Sequence, residues 1–342
     1  MRGRAPPSGD ALRAIRARLH RGPRVRRPRG GAVNRAPRLS VDVGRNLVLR
    51  NPVLTASGTF GYGLEYEPFF DLASLGGVVV KGISPRERSG NPPPRIVETP
   101  CGMLNAIGLQ NVGVERFARE KLPALRERDT AVVVNVYGHR VEDYVAVAER
   151  LEREPGIAAL ELNLSCPNVA EGGLEIGRSP AAVERVTRAV RDVTNRPLWV
   201  KLTPNVTDIT EPARAAVAGG ADALSLVNTF VGMVIDIERR RPVLSHGTGG
   251  LSGPAIRPMA VAMVWQVARA VEVPVIGIGG IASVRDVVEF LLAGARAVQV
   301  GTANFGDPSV AARLVAGLSR WCAEHGVEDV NELVGAAHPE RG

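Results

Sequence analysis

The feature that most constrains this chain is a repeat of form rather than of sequence. Eight short runs rich in β-branched residues each end in polar residues or glycine. They are PVLTASG (52–58), GVVVKG (77–82), AVVVNVYG (131–138), ALELNLSCPN (159–168), PLWVKLTPN (197–205), ALSLVNT (223–229), VPVIGIGG (273–280) and AVQVGTANFG (297–306). Strands that are apolar without alternation need cover on both faces, and strands that alternate with helices form parallel sheets. Eight of them predict a closed α/β architecture, the (β/α)8 or TIM barrel. An open doubly wound sheet is the structural alternative. It would carry G-x-G-x-x-G after its first strand, and TASGTFGYG lacks that spacing.

Between the runs, apolar residues recur every three or four positions, predicting helices over 141–154, 179–193, 209–220 and 283–294. Ahead of the first run, LSVDVGRNLVLRN (39–51) reads as a β-hairpin about Gly44-Arg45-Asn46 that closes the barrel floor. Two connections, 83–130 and 228–255, are too long for plain turns. Long loops at the C-terminal ends of barrel strands usually build a site.

The formal charge of +8 misleads, because residues 1–38 hold twelve arginines and one acid. That leaves the body at about −3, which removes the main support for a nucleic-acid partner. Residues 1–38, rich in Arg, Pro and Gly, form a basic extension expected to be disordered on its own; 39–342 form the barrel domain. No apolar run has the length of a membrane span, and no hydrophobic signal segment is visible at the start. Three cysteines cannot pair completely, so a reduced, cytoplasmic protein is expected. The five histidines show no metal-ligand spacing with the cysteines, so no metal is expected.

The candidate site collects the polar residues that end the strands: Ser57, Lys81, Asn135, Asn163, Lys201, Asn228, Gly279-Gly280 and Gly301-Thr302. A lone asparagine at a strand end is usually a cap, but a barrel would gather all of these on one rim. The chain has 40 arginines and only three lysines, and two of those, Lys81 and Lys201, end buried strands. A compact ammonium suits a tight site better than a guanidinium fork. Lys121 lies on a polar helical stretch and is read as surface. The glycine turns after the seventh and eighth runs offer backbone N–H groups where barrels of this type bind phosphate. Cys166 lies beyond its apolar run, before a proline, where a thiol on a loop can take a proton from a substrate. Cys101 and Cys322 are read as small buried apolar residues.

Taken together, NPVLTASGTFGYG, VVVKGISPRERSGNPPPR, ETPCGMLNAIGLQN, ELNLSCPNV, TGGLSGPAIRP and IGIGGI resemble the class 1 dihydroorotate dehydrogenases, from about residue 40 to about 320. NAIGLQN and GLSGPAIRP are most similar to the NAD-linked class 1B catalytic subunit. The resemblance implies oxidation of (S)-dihydroorotate to orotate in pyrimidine (UMP) biosynthesis, with one FMN per chain and Cys166 as base. It implies FMN contacts at Ser57, Lys81, Gly82, Asn135, Asn163, Lys201, Val227, Gly253, Gly279, Gly280, Gly301 and Thr302. It implies substrate contacts at Lys81, Asn105, Ala106, Ile107, Gly108, Leu109, Asn163, Asn228 and Thr229. It also implies a homodimer joined in a heterotetramer by an electron-transfer subunit carrying FAD and a 2Fe–2S iron–sulfur cluster. A cluster of that kind takes four cysteines, and this chain has three. The alternatives are a fumarate-linked class 1A enzyme or a dihydropyrimidine dehydrogenase-like flavin subunit. Outside that group, a phosphosugar-binding barrel without flavin is the rival. Cys101 departs from the family pattern, and a second thiol near the site is the expectation it raises.

Overall fold

The computed structural model describes residues 36–164 and 173–339. Eight parallel strands run in chain order: β1 (Val53–Thr55), β2 (Val78–Ile83), β3 (Val132–Val136), β4 (Ala159–Asn163), β5 (Leu198–Lys201), β6 (Ala223–Leu226), β7 (Val275–Ile278) and β8 (Ala295–Val300). Each pairs with its sequence neighbour, and β8 returns to β1. The seam between β1 and β2 is the thinnest part of the ring. It is closed by a parallel bridge, Leu54 to Gly77, with the Thr55 N–H donating to the Gly77 carbonyl at 3.3 Å. The Val79 N–H also donates to Thr55 Oγ1 at 3.2 Å. The eight strands coincide with the eight runs read from sequence.

Both faces of these strands are covered, which is why they are Val- and Leu-rich throughout: β3 and β4 are buried at every position. Outside lie α1 (Val141–Glu152), α2 (Pro180–Arg191), α3 (Thr210–Ala218), α4 (Arg257–Ala268), α5 (Val284–Leu292) and α6 (Val310–His325). Their starts are written in the sequence. Ser179 Oγ accepts the Ala182 N–H at 3.3 Å, ahead of Pro180 in the first turn of α2. Ser283 and Asp286 cap α5 reciprocally, at 3.3 and 2.8 Å.

The floor is built as expected. Val41–Asp42 pairs antiparallel with Val48–Leu49, and Gly44, Arg45 and Asn46 all take positive φ, at 99°, 52° and 58°. Gly44 is obligatory: a Cβ there would lie 2.3 Å from the carbonyl oxygen of Asp222, just before β6. Arg38, placed in the basic extension by sequence, is already joined to the body by a bridge and an ion pair with Asp329.

The opposite end differs from a set of separate loops. Strands 96–99 and 102–105, from the first long connection, pair antiparallel with strands 249–252 and 230–232 from the second. The resulting four-stranded sheet has its own small core of Leu104, Ala106 and Leu244. Ile235–Asp236 and Arg241–Pro242 add a short hairpin. Cys101 sits at the turn of the 96–105 hairpin and is exposed, which corrects the expectation of a buried thiol; Cys322 is buried in α6. Lys121 is half-buried, with its Nζ 5.6 Å from the Tyr62 ring centroid, rather than a free surface cation.

Candidate active site

A cavity of about 320 Å³ opens at the C-terminal ends of the strands. Every strand contributes, either from its last residues or from just past its end, as parallel strands place their C-terminal side chains on one rim. β3 and β4 contribute from within, through Asn135 and Asn163. All twelve residues expected at the cofactor line this cavity: Ser57, Lys81, Gly82, Asn135, Asn163, Lys201, Val227, Gly253, Gly279, Gly280, Gly301 and Thr302. Of the expected substrate residues, Asn105, Ile107, Leu109, Asn228 and Thr229 also line it. Ala106 and Gly108 do not. Ala106 faces the small core of the antiparallel sheet, and a Cβ on Gly108 would point at Asn91, 2.5 Å from its Oδ1. The strand ends at Asn105, and Gly108 and Leu109 take positive φ, 75° and 58°, so the segment turns over the cavity rather than continuing as a strand.

The two lysines stand on the same rim. Lys201 is 5% exposed. Lys81 is held below the usual lysine range, first by burial and then by the positive charge of Arg95. Arg95 also lines the cavity. Its guanidinium donates to Gln110 Oε1 at 2.8 Å and to the Asn91 carbonyl at 3.3 Å. No Asp or Glu among the described residues lines the cavity beside these two cations, which makes this corner a site for an anion.

The amides are tied together. Asn228 Nδ2 donates to Asn163 Oδ1 at 3.3 Å, and Asn228 Oδ1 accepts the Thr229 N–H at 2.8 Å. Asn205 donates to the Thr229 carbonyl at 3.0 Å, bracing that loop from behind. Asn135 Oδ1 is buried without a partner among the described residues.

The glycine turns meet each other. A Cβ on Gly280 would lie 2.8 Å from the Gly253 carbonyl, and one on Gly253 would lie 2.7 Å from Gly102 Cα. Both take positive φ, 72° and 95°. Thr302 Oγ1 donates to Ser252 Oγ at 2.8 Å beside them. The close approach leaves main chain, not side chains, facing the cavity, which suits a phosphate. These observations fit FMN: a buried unpaired acceptor that a ring N–H could use, glycine turns that could hold a phosphate, and two lysines lining the same cavity.

Sequence reading missed Arg95, Ile96, Met103, Gln110, Ser252 and Phe305, all of which line the cavity. Only Arg95 carried a signal, as the charge that ends NPPPR. Ile96, Met103 and Ser252 come from the antiparallel sheet, Gln110 from the loop that follows it and Phe305 from the short helix after β8. Cys166 lies outside the described residues.

A (β/α)8 barrel with cations, amides and glycine turns converging on one rim defines an enzyme of a small anionic substrate and a phosphorylated cofactor. The sequence model of dihydroorotate dehydrogenase matches residues 39–321, and the chain belongs to that family of flavin-dependent oxidoreductases. Its relatives place it with class 1B. It is 57% identical over 300 residues to the dihydroorotate dehydrogenase B (NAD(+)) catalytic subunit of Geotalea daltonii, covering 88% of this chain and 98% of the relative. It is 58% identical to the protein of the same name from Geotalea uraniireducens, with the same coverage. The Desulforudis audaxviator catalytic subunit is 57% identical over 296 residues, 86% of this chain and 96% of the relative. Among the described residues, no helix is long and apolar enough to cross a membrane.

Proposed function

We propose that this chain oxidises (S)-dihydroorotate to orotate in pyrimidine biosynthesis, as the FMN-bearing catalytic subunit of a cytoplasmic NAD-linked enzyme. The observation that carries this reading is the cavity itself. Two of the three lysines in an Arg-rich chain share it with three rim asparagines and the paired glycine turns. Bound FMN would supply the two-electron acceptor for the hydride leaving C6 of the substrate.

The chain's own residues have distinct tasks. Lys81 and Arg95 attract the substrate carboxylate, since both line the cavity and, among the described residues, no Asp or Glu lines it with them. Asn163 and Asn228 present amides to the planar substrate, and the 105–109 segment covers it through Asn105, Ile107 and Leu109. Lys201 sets a fixed positive charge beside the ring edge where electron density increases on reduction. Gly253, Gly279-Gly280 and Gly301-Thr302 hold the phosphate. Cys166 takes the C5 proton, the role that its Cys-Pro-Asn setting and the family resemblance give it.

A second subunit carrying FAD and an iron–sulfur cluster, docked on a homodimer of this chain, would supply the route by which the electrons reach NAD. Three cysteines, one assigned to proton transfer, do not make a four-thiolate cluster site. The name "catalytic subunit" borne by the relatives supports the same division of labour.

The test is the visible spectrum of the purified protein, followed by anaerobic addition of dihydroorotate. Flavin bands that bleach on addition support the reading; a colourless protein or bands that persist refute it. Assayed alone, the chain should reduce a dye but turn over NAD poorly. Brisk NAD reduction without a partner refutes the two-subunit assignment, and brisk fumarate reduction points to class 1A.

A further inference from the structure

Glu161 is a carboxylate in the middle of an apolar strand, β4, and is 0% exposed. Its two oxygens are both used. Oε1 accepts from Asn135 Nδ2 at 2.7 Å, on the neighbouring strand β3. Oε2 accepts from Gln299 Nε2 at 2.6 Å, on β8. Strands β4 and β8 lie four places apart in a ring of eight, so the side chain spans the barrel interior. Asn135 lines the cavity, whereas Glu161 and Gln299 do not.

Both carboxylate oxygens accept, so both amides turn their NH₂ groups towards Glu161. For Asn135 this decides what the cavity receives. With Nδ2 committed to Glu161, the buried and unpartnered Oδ1 is left as the group on offer. There is room for it because residue 82 is glycine: a Cβ there would lie 2.8 Å from Asn135 Oδ1. Without Glu161, an asparagine could face the cavity with either end, donor or acceptor, at similar cost.

We propose that Glu161 is a positioning residue for the cofactor: it fixes the orientation of the Asn135 amide so that the cavity presents an acceptor to an N–H of the bound flavin ring. This inference rests on the FMN reading above. The pyrimidine-like half of oxidised FMN carries a single N–H between two carbonyls, so an acceptor at one point and not a donor is a matter of recognition.

The experiment uses the full chain, stripped of flavin and titrated with FMN by fluorescence quenching, with the visible spectrum of the bound FMN recorded alongside. Wild type that takes up no FMN refutes the flavin reading and this inference with it. In Glu161→Gln one accepting oxygen stands where the carboxylate had two, so Asn135 and Gln299 compete for it and the Asn135 amide is no longer held in one orientation. We expect the FMN dissociation constant to rise about tenfold or more, with a shift of the flavin bands. The exchanged pair Glu161→Gln with Asn135→Asp restores the pattern with the same total charge. The introduced glutamine then donates to the introduced aspartate and accepts from Gln299, and the second oxygen of that aspartate again faces the cavity. Affinity should return to within about threefold of wild type, and the bands with it. The bands report hydrogen bonds to the ring, which a purely structural tie would leave unmoved. Wild-type affinity and bands in Glu161→Gln overturn the proposal, as does an exchanged pair that fails to recover them. If the single variant does not fold, the exchanged pair decides alone: folded and binding FMN supports the proposal, and anything less overturns it.

Discussion

At the N-terminal ends of the strands the barrel is closed by Val41, Val43 and Leu49 of a two-stranded hairpin, all but fully buried. At the C-terminal ends the same barrel carries Lys81, Lys201, three asparagines and a cavity of about 320 Å³. The floor satisfies most local rules: apolar residues inward, a glycine at the largest positive φ of its turn, ahead of Arg45 and Asn46 at 52° and 58°, and a side-chain acceptor for the Gly44 N–H in Asp42 Oδ1 at 2.8 Å. The rim breaks several. Lys81 is half-buried beside another cation, and Asn135 Oδ1 has no partner among the described residues. Such violations cost folding free energy and persist where a ligand compensates them. The comparison therefore predicts that substitutions at the two ends fail in different ways: rim variants lose binding or rate, and floor variants lose stability.

The largest effect is expected for Cys166→Ala, which takes away the proposed proton acceptor and leaves the flavin cradle whole. Reduction of bound FMN by dihydroorotate should slow by ~10²–10⁴-fold, with FMN content unchanged. Anaerobic stopped flow measures it, and a wild-type rate would remove the thiol from the reaction. Next is Gly44→Ala at the floor. A Cβ at φ 99° and 2.3 Å from a backbone carbonyl should destabilise by ~2–3 kcal/mol. FMN affinity in the surviving folded protein should match wild type. A change in affinity, measured by titration, would mean the two ends are coupled. Lys201→Arg keeps the charge but replaces a compact ammonium with a planar fork in a site 5% exposed. FMN affinity or reduction rate should fall about tenfold, while urea melts of the flavin-free protein change little.

Lys81→Met is the smallest and the sharpest, because its sign is opposite for stability and function. Burial and Arg95 lower the Lys81 pKa in the folded chain. The unfolded chain therefore holds the proton to higher pH, near ~10.4. The stability tied to this group is fully present above that value and is lost as pH falls through the folded value. Methionine removes the penalty, so flavin-free protein should gain stability at pH 7. Thermal melts from pH 7 to 10 should show a flatter pH dependence than wild type, and the KM for dihydroorotate should rise. Loss of stability would instead assign Lys81 a structural role.

Much of the rim was legible before any coordinates, for a physical reason. A parallel strand is buried along its length, so a polar residue at its end has few roles other than capping or binding. Lys81, Asn135, Asn163 and Lys201 all stand out in that way. Glu161 sends the same signal from the middle of ALELNL, but a strand-end pattern does not ask what lies two residues deeper. Met103, Gln110 and Ser252 send none. They reach the cavity on strands or loops of ordinary composition, and their positions depend on how two distant connections pair.

By itself the sequence determined the eight strands, their parallel order, the helix starts at Ser179 and Ser283, the hairpin about Gly44 and the rim that holds the lysines. Each of these follows from local chemistry: β-branched runs, capping side chains, left-handed turn residues and a periodicity that repeats along the chain. Only the tertiary structure decided three further things. It joined residues 96–105 to 230–252 in one antiparallel sheet. It set Arg95 against Lys81. It stretched Glu161 between Asn135 and Gln299, which is 138 residues from Glu161 along the chain. Contacts between segments so far apart depend on where the closed ring brings their backbones, and no periodicity or local propensity records that distance.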